Sequence, residues 1–386
     1  MTFPILFISF RSFQNSGENA PESQKMEKQL FKSLKAGALN LDNRIVMAPL
    51  TRGRADVDGV PTKLMAEYYT QRAAAGLIVA EATAVSKRGY GWVQAPGIFT
   101  PAQVKGWQIV TDAVHKAGGK IVLQLWHMGR ASHPDFLNGQ LPVAPSAIAA
   151  TGHTTTPLGV KDYVVPHALD LDEIKTTIAD YRRGATLAKD AGFDGVEIHS
   201  ANGYLLDEFL RDGANARSDI YGGSAENRAR LLQQVTEAVT GIWGGDRVGV
   251  RLSPRNPYKG MSDSDPVHTF SVAVEKLNPY GLAYLHSMEP LPGHRLAAEG
   301  ERVSPVMRRI FKGTFIANGG YTQDLAEKAL ATGEADAIAF GVPFIANPDL
   351  VHRFRTGAPL NPADESTFYT HDAHGYTDYP LMAKAS

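Results

Sequence analysis

The hexapeptide H-S-A-N-G-Y at 199–204 brings an imidazole, a carboxamide and a phenol together: His199, Asn202 and Tyr204. All three can donate a hydrogen bond, and a phenol with an ordinary pKa of about 10 holds its proton at neutral pH. They come at the end of a short apolar run, GVEIHS (195–200), and other apolar runs end on comparable groups. IVMAPL (45–50) delivers Pro49, Leu50 and Thr51, LIVAEA (77–82) delivers Ala82, and KIVLQLW (120–126) delivers Gln124 and Trp126. VGVRLS (248–253) carries Arg251, TFIANG (314–319) ends on Gly319 with Gly320 following, and AIAFG (337–341) ends on Gly341. The set consists of amide, hydroxyl, guanidinium and imidazole donors. No run ends in lysine, which argues against Schiff-base chemistry. There is no His-x-His and no carboxylate cluster, which argues against a metal hydrolase, so the site is read as metal-free. The chain has 0 cysteines, which excludes thiolate zinc sites, cysteine-ligated iron–sulfur clusters, disulfides and cysteine nucleophiles. Taken singly, His199 reads as a satisfied core histidine and Arg251 as a buried ion-pair partner. Their shared place at strand ends is what favours function.

The elements behind these residues are eight short apolar runs; the eighth not yet mentioned is LAYLHS (282–287). Consecutive apolar, β-branched positions are the pattern of strands buried on both faces of a parallel sheet. Helical spacing fills the intervals over 101–117, 173–191 and 224–243, with Trp107 and Tyr181 read as core and Ser224 as a helix cap. Alternating strands and helices give the α/β class, and eight such units predict a (β/α)8 TIM barrel as a single domain. The starts of the third and fourth runs lie 75 residues apart, so a long loop insertion after strand 3, roughly 127–170, is expected to form a lid. The competing fold, an open doubly wound sheet, wants G-x-G-x-x-G after its first strand, where this chain has APLTRGR. Barrel sites lie at the C-terminal strand ends, and the loops after strands 7 and 8 commonly hold phosphate. Donors for a neutral heterocycle beside bare backbone N–H groups for a phosphate make FMN the simplest ligand.

Lys+Arg total 39 and Asp+Glu 40, a net charge of −1, which argues against nucleic-acid and membrane partners. A hydrophobic content of 43% with 20% charged residues describes a folded globular chain. The apolar stretch FPILFISF (3–10) is too short to span a bilayer, and it lacks the flanks of a secretory signal. Residues 1–25 are expected to be a disordered, dispensable N-terminal extension, with 26–386 forming the FMN-binding barrel of a cytoplasmic monomer or homodimer.

Several stretches together resemble the Old Yellow Enzyme family of flavin-dependent ene-reductases. They are R-I-V-M-A-P-L-T-R (44–52), Q-L-W-H-M-G-R-A-S-H (124–133), H-S-A-N-G-Y-L-L-D-E-F-L (199–210), N-A-R-S-D-I-Y-G-G-S-A-E-N-R (215–228), V-G-V-R-L-S-P (248–254), F-I-A-N-P-D-L (344–350) and H-G-Y-T-D-Y-P (374–380). The resemblance runs from about residue 28 to 380. It implies FMN at the barrel mouth, with Pro49, Leu50, Thr51, Ala82 and Gln124 against the isoalloxazine and Arg251 beside N1 and O2. It implies that His199 and Asn202 bind the substrate's carbonyl or nitro oxygen and that Tyr204 protonates its α-carbon. Trp92, Trp126 and Tyr376 match aromatic positions lining the substrate seat, which NAD(P)H uses in turn during ping-pong turnover. The same resemblance implies enones, enals and maleimides as substrates.

The chain departs from the family at F-G-V-P-F (340–344), where an arginine usually meets the FMN phosphate and Val342 stands here. A charge-assisted hydrogen bond contributes about 1.5–3 kcal/mol, so FMN is expected to bind up to roughly a hundredfold more weakly unless another cation substitutes. Gly319, Gly320, Gly341 and Val342 are the expected phosphate-side residues, with Arg308, Arg309 and Lys312 as replacement cations by chain proximity. Two alternatives stay open: a nitrate-ester or nitroaromatic reductase using the same residues, and a barrel that binds a ligand without catalysis.

Overall fold

The computed structural model describes residues 28–294 and 297–382. The expected extension over 1–25 lies outside the described residues.

All eight apolar runs form parallel strands: β1 (Ile45–Met47), β2 (Leu77–Val79), β3 (Ile121–Trp126), β4 (Gly195–Ser200), β5 (Val248–Leu252), β6 (Tyr284–Met288), β7 (Thr314–Asn318) and β8 (Ala337–Phe340). Each pairs with the next, β8 returns to β1, and the pairing of β3 with β4 completes the ring. A two-residue strand, Thr83–Ala84, continues the β2 direction along the upper end of β3. The expected (β/α)8 barrel is therefore closed.

The strands are apolar on consecutive residues because both faces are buried. Val46, Ala48, Leu77, Val79, Val122, Tyr284, Ile316, Ala337 and Ala339 pack into one cluster inside the ring. Their neighbours one residue along, including Ile45, Met47, Ile78, Leu123, Leu125, Ile338 and Phe340, pack outward into a second cluster with the helices. A short antiparallel pair, Leu34–Ala36 with Leu39–Leu41, closes the base: Ala36, Leu39 and Leu41 join the inner cluster, and Ala38 N–H donates to Asp246 O at 2.8 Å.

The helices follow the expected spacing. They are α1 (Lys63–Thr70), α2 (Pro101–Lys116), α3 (Leu171–Asp190), α4 (Leu205–Leu210), α5 (Ala225–Arg228), α6 (Arg230–Trp243), α7 (Pro266–Leu277), α8 (Ser304–Ile310), α9 (Gln323–Ala331), α10 (Val342–Ala346) and α11 (Leu350–Thr356). Thr100 and Gln103 form a reciprocal capping box at α2, and Asp170 and Glu173 do the same at α3. Ser224 accepts from Asn227 N–H as the cap of α5. Trp107 and Tyr181 are fully buried under the helices.

The insertion after β3 is structured. His153–Thr156 pairs antiparallel with Gly159–Asp162, and Val143–Ala144 pairs with His167–Ala168. Its Tyr163 reaches the mouth of the barrel and packs with Trp92 and Tyr204 on a cluster containing Trp126 and Met128.

The C-terminal segment crosses the mouth and is held by two buried arginines from the β1 loop. Arg54 donates to the carbonyls of Phe368 (2.9 Å), Thr367 (3.0 Å), Asp372 (3.2 Å) and His374 (3.3 Å), and to Thr370 Oγ1 (2.6 Å). Arg52 donates to Phe368 O (2.9 Å) and Gly375 O (2.8 Å). Both guanidinium groups lie over the Tyr376 ring, at 5.2 and 4.6 Å, and that ring stacks on Tyr68 at 4.0 Å. Arg54→Ala should release several carbonyls at once and lower stability by about 3 kcal/mol. Urea unfolding measures this, and a loss below about 0.5 kcal/mol, within the range of ordinary surface substitutions, would mean that other contacts hold the segment.

Candidate active site

The C-terminal ends of the strands open on a cavity of about 460 Å³. Pro49, Leu50 and Thr51 reach it from β1, Ala82 from β2, Gln124 from β3, and His199, Asn202 and Tyr204 from β4 and its loop. Arg251 comes from β5, Met288 from β6, and Val342 and Ile345 from the chain after β8. Trp92, Phe368 and Tyr369 complete the walls.

Strand register builds the floor. Glu197 lies opposite Gln124, His199 opposite Arg251, and Arg251 opposite His286. Gln124 Nε2 donates to Glu197 Oε1 at 2.7 Å, and His286 Nδ1 lies 2.9 Å from Glu197 Oε2. Burial works against the Glu197 charge, but His286, Arg251 and Gln124 outweigh it and hold the carboxyl below its ordinary value. Burial also pushes His286 down by more than Glu197 raises it. The Glu197 carboxylate therefore accepts from the His286 Nδ1–H. Arg251 Nη2 donates to Asn318 Oδ1 at 2.9 Å, whereas its buried Nε has no partner among the described residues.

The β4 loop presents the three groups of the hexapeptide. Burial, with Arg251, Lys259 and His286 adding, pushes His199 well below the usual imidazole range, so it is neutral and carries a single N–H. Asn202 adopts a left-handed φ of 60°, its N–H donates to Ser253 Oγ at 2.6 Å, and its Oδ1 accepts from Asn256 Nδ2 at 2.9 Å. With Oδ1 engaged, the Asn202 amide nitrogen is the group left for a ligand. Tyr204 precedes α4, and its ring stands edge-on to Trp126 (5.2 Å) and His199 (5.0 Å). Burial, with Tyr258, Tyr163 and Tyr369 adding, pushes the phenol well above its ordinary value, so it stays protonated.

The sequence-derived residues divide as follows. Pro49, Leu50, Thr51, Ala82, Trp92, Gln124, His199, Asn202, Tyr204, Arg251 and Val342 all line the one cavity. Trp126 and Tyr376 do not: Trp126 sits behind Tyr204, and Tyr376 is fully buried against Tyr68 under Arg52 and Arg54. Gly319, Gly320 and Gly341 lie beyond the cavity wall, with Gly319 and Gly320 at positive φ (129° and 83°) beside Glu289 and His294. Arg308 and Lys312 stand at the opposite end of the barrel, because α8 runs from the mouth back to the base. Arg308 pairs there with Asp336 at 3.1 Å and with Gly313 O, and Lys312 N–H with Asn278. Arg309 is exposed on the same helix end, so none of the three replaces a cation at Val342.

Asn256, Tyr258, Met288, Phe368 and Tyr369 line the cavity without having been singled out from sequence. Loop and C-terminal residues of this kind carry no periodicity. Glu197 had a signal, as a charged residue two positions before His199 in an otherwise apolar strand, on the same face. The polar groups converging on this cavity suit a planar heterocycle with ring carbonyls and nitrogens: two donors, a guanidinium with a free Nε–H and the Thr51 hydroxyl, and one acceptor, the Gln124 carbonyl oxygen left open by the Glu197 bond.

Residues 29–361 match the model of the NADH:flavin oxidoreductase / NADH oxidase family. The chain is 47% identical over 363 residues to 12-oxophytodienoate reductase 1 of Oryza sativa subsp. japonica, covering 92% of this chain and 93% of that one. It is 43% identical over 379 residues to the flavin oxidoreductase hxnT of Emericella nidulans, covering 91% and 97%. Among solved structures, the Old Yellow Enzyme homologue from Zymomonas mobilis superposes with a TM-score of 0.90 at 50% identity, covering 92% of this chain and 100% of that one. Morphinone reductase superposes with a TM-score of 0.88 at 47% identity, covering 92% and 96%. Among the described residues no helix is long and apolar enough to cross a membrane.

Behind Tyr204 lies another buried ionisable group. Glu208 Oε1 accepts from Arg130 N–H at 2.9 Å, and a Cβ at Gly129 (φ 65°) would collide with that carboxylate. Burial raises Glu208 from 4.5 to about 8, against the opposing pull of Arg130 and Lys259. The folded chain thus favours protonated Glu208, a preference complete below about 4.5 and gone once the pH passes about 8. Glu208→Gln copies the neutral form. Its stability advantage over the parent should grow from about pH 5 to about pH 8 and then level off. Urea titrations across that range measure it, and a difference that does not change with pH would place Glu208 in the ionised state throughout.

Proposed function

Because the chain belongs to the NADH:flavin oxidoreductase / NADH oxidase family, that of Old Yellow Enzyme, we propose that it is an FMN-dependent reductase using NAD(P)H to reduce activated C=C bonds of α,β-unsaturated carbonyl compounds. The observation that carries this reading is the convergence of neutral His199, the free amide nitrogen of Asn202 and protonated Tyr204 on one cavity floored by Arg251. The names of the relatives, 12-oxophytodienoate reductase and morphinone reductase, agree with small organic acceptors.

FMN would supply the hydride, accepted from NAD(P)H and passed to the β-carbon of the alkene, with the two substrates using the cavity in turn. Arg251, Thr51, Gln124, Pro49, Leu50 and Ala82 would hold its ring. Arg251 would contribute fixed positive charge to the bound ring and so favour the charge it gains on reduction. His199 and Asn202 donate to the substrate carbonyl oxygen, which gains negative charge as hydride reaches the β-carbon. Preorganised donors aimed there are worth several kcal/mol in a water-poor cavity. Tyr204 hands the Oη proton to the α-carbon. Trp92, Phe368 and Tyr369 wall the acceptor side and exclude water.

Tyr204→Phe removes the proton donor and leaves the ring. It should slow the oxidative half-reaction with cyclohexenone by about a hundredfold or more while sparing flavin reduction by NAD(P)H. Rapid-mixing absorbance measurements separate the two, and equal losses in both would contradict the role. Val342 is 46% exposed and offers no charge to a phosphate. Val342→Arg should tighten FMN up to roughly a hundredfold in a fluorescence titration of apoprotein. Unchanged affinity would mean that another cation already serves the phosphate.

A further inference from the structure

Lys259 sits between Tyr258 and Gly260 in the loop after β5, in a left-handed backbone conformation (φ 62°, ψ 29°) that residues with a side chain seldom adopt. Its side chain is buried, and Nζ has no hydrogen-bond partner among the described residues. That Nζ lies 3.8 Å from the centroid of the Tyr204 ring and 4.5 Å from that of Tyr258. The loop is pinned in this pose, since Lys259 O accepts from Thr151 N–H at 3.2 Å and from Arg130 Nη2 at 3.4 Å. An unusual backbone and an unpaired buried amine are both unfavourable on their own. Together they place one ammonium on the face of one phenol.

We propose that Lys259 is a positioning residue for Tyr204, its ammonium stabilising the phenolate that forms when Tyr204 gives up its proton and holding the ring against Trp126 and His199. This rests on the reading of Tyr204 as proton donor. In that step the Oη–H bond breaks as the Cα–H bond of the product forms, the electron pair stays on Oη, and solvent reprotonates the phenolate after the product leaves. Charge delocalised from a phenolate enriches the π face, so the attraction to a cation above the ring strengthens as the proton departs. An interaction that grows along the reaction coordinate raises the rate, whereas one present equally beforehand does not.

The groups facing the pair define its pH behaviour. Tyr258, Tyr163, Tyr369, His199 and Arg251 surround the phenol, and Glu208 and Arg130 surround the ammonium. Burial lowers Lys259 well below the ordinary lysine value, with Arg130 adding and Glu208 opposing. The benefit is present while the ammonium is charged and is lost as the pH rises through that lowered midpoint.

The test compares FMN-loaded parent, Lys259→Met, Lys259→Arg and Tyr204→Phe in both half-reactions across about pH 6 to 10. Lys259→Met should slow alkene reduction about tenfold near neutral pH, leave flavin reduction within about twofold, and converge on the parent at high pH. Lys259→Arg keeps the charge and should recover most of the loss. A second readout needs no turnover: in protein carrying 3-fluorotyrosine, the ¹⁹F signal missing from Tyr204→Phe reports the surroundings of that ring, and its chemical shift should move with pH in the parent as Lys259 loses its charge and stay flat over the same range in Lys259→Met. Lys259→Gln repeats the comparison if the methionine variant does not fold. If neutral variants change neither the rate ratio nor the pH course of the ¹⁹F shift while Tyr204→Phe is slow, the proposal falls and the donor role of Tyr204 stands. If Tyr204→Phe reduces alkene at the parent rate, the donor role falls, and the pH course of the ¹⁹F shift still decides whether Lys259 acts on the phenol ring.

Discussion

The site depends on the relative register of β3, β4, β5 and β6. Gln124 meets Glu197, His199 meets Arg251, and Arg251 meets His286 only because these strands pair where they do. A slip by one residue would turn Glu197 and His199 outward into the helix layer and bring Ile198 inward. Apolar packing resists that slip on the outer face, where Val196, Ile198, Val250 and Leu285 are fully buried. The ionised Glu197 resists it from inside, since it would lose Gln124 and His286 together and leave a buried charge unpaired. Gly249 belongs to the same constraint: a Cβ there would strike the Tyr284 ring, so a large residue at the base of β6 requires none opposite it on β5.

Inside the ring, side chains change character from base to mouth. Val122, Gln124 and Trp126 share the inner face of β3, while Tyr284 and His286 succeed each other on β6 and Ile316 and Asn318 on β7. The apolar base fixes the barrel and the polar upper layer is carried on it, which is how strands hold functional groups more rigidly than loops do. Loops then add what strands cannot supply. The C-terminal segment brings Phe368 and Tyr369 to the cavity because Arg52 and Arg54 bind its carbonyls, and the β5 loop brings Asn256, which orients the Asn202 amide.

The strands, most helices and the hexapeptide were legible because each has a local signature: apolar continuity, helical period, or donor types at a strand end. The second layer was legible only in outline. Tyr376 illustrates why. Its aromatic type and its place in H-G-Y suggest a cavity wall, yet its position is set by Arg52 and Arg54, more than 300 residues earlier in the chain, whose guanidinium groups need both carbonyls and a ring face. Trp126 likewise packs edge-on against Tyr204 and does not line the cavity. Arg308 lay near Val342 in neither space nor direction, because a βα unit returns the chain to the base after every strand. Sequence proximity in a barrel thus predicts shared ends only within a strand and the loop that directly follows it.

The charges around the cavity are unevenly distributed. Glu197 offsets Arg251 within the floor, Glu208 is held toward its neutral form, His199 is neutral, and Lys259 contributes a further amine with no direct partner. Excess positive potential on the proton-donating side of the cavity then depends on Lys259 holding its proton, which burial opposes, while the Val342 side carries none from its own side chain. A cofactor whose ring becomes anionic on reduction would gain most from such a distribution after it has taken up hydride. Its anchoring would then rely on the ring more than on the phosphate. In the proposed reaction the same potential would favour the negative charges that develop, on the substrate oxygen facing His199 and Asn202 and on the Tyr204 phenolate beneath Lys259. Under the proposed reaction one electrostatic bias, set by strand register and by a single left-handed lysine, would act on cofactor, substrate and proton donor in turn.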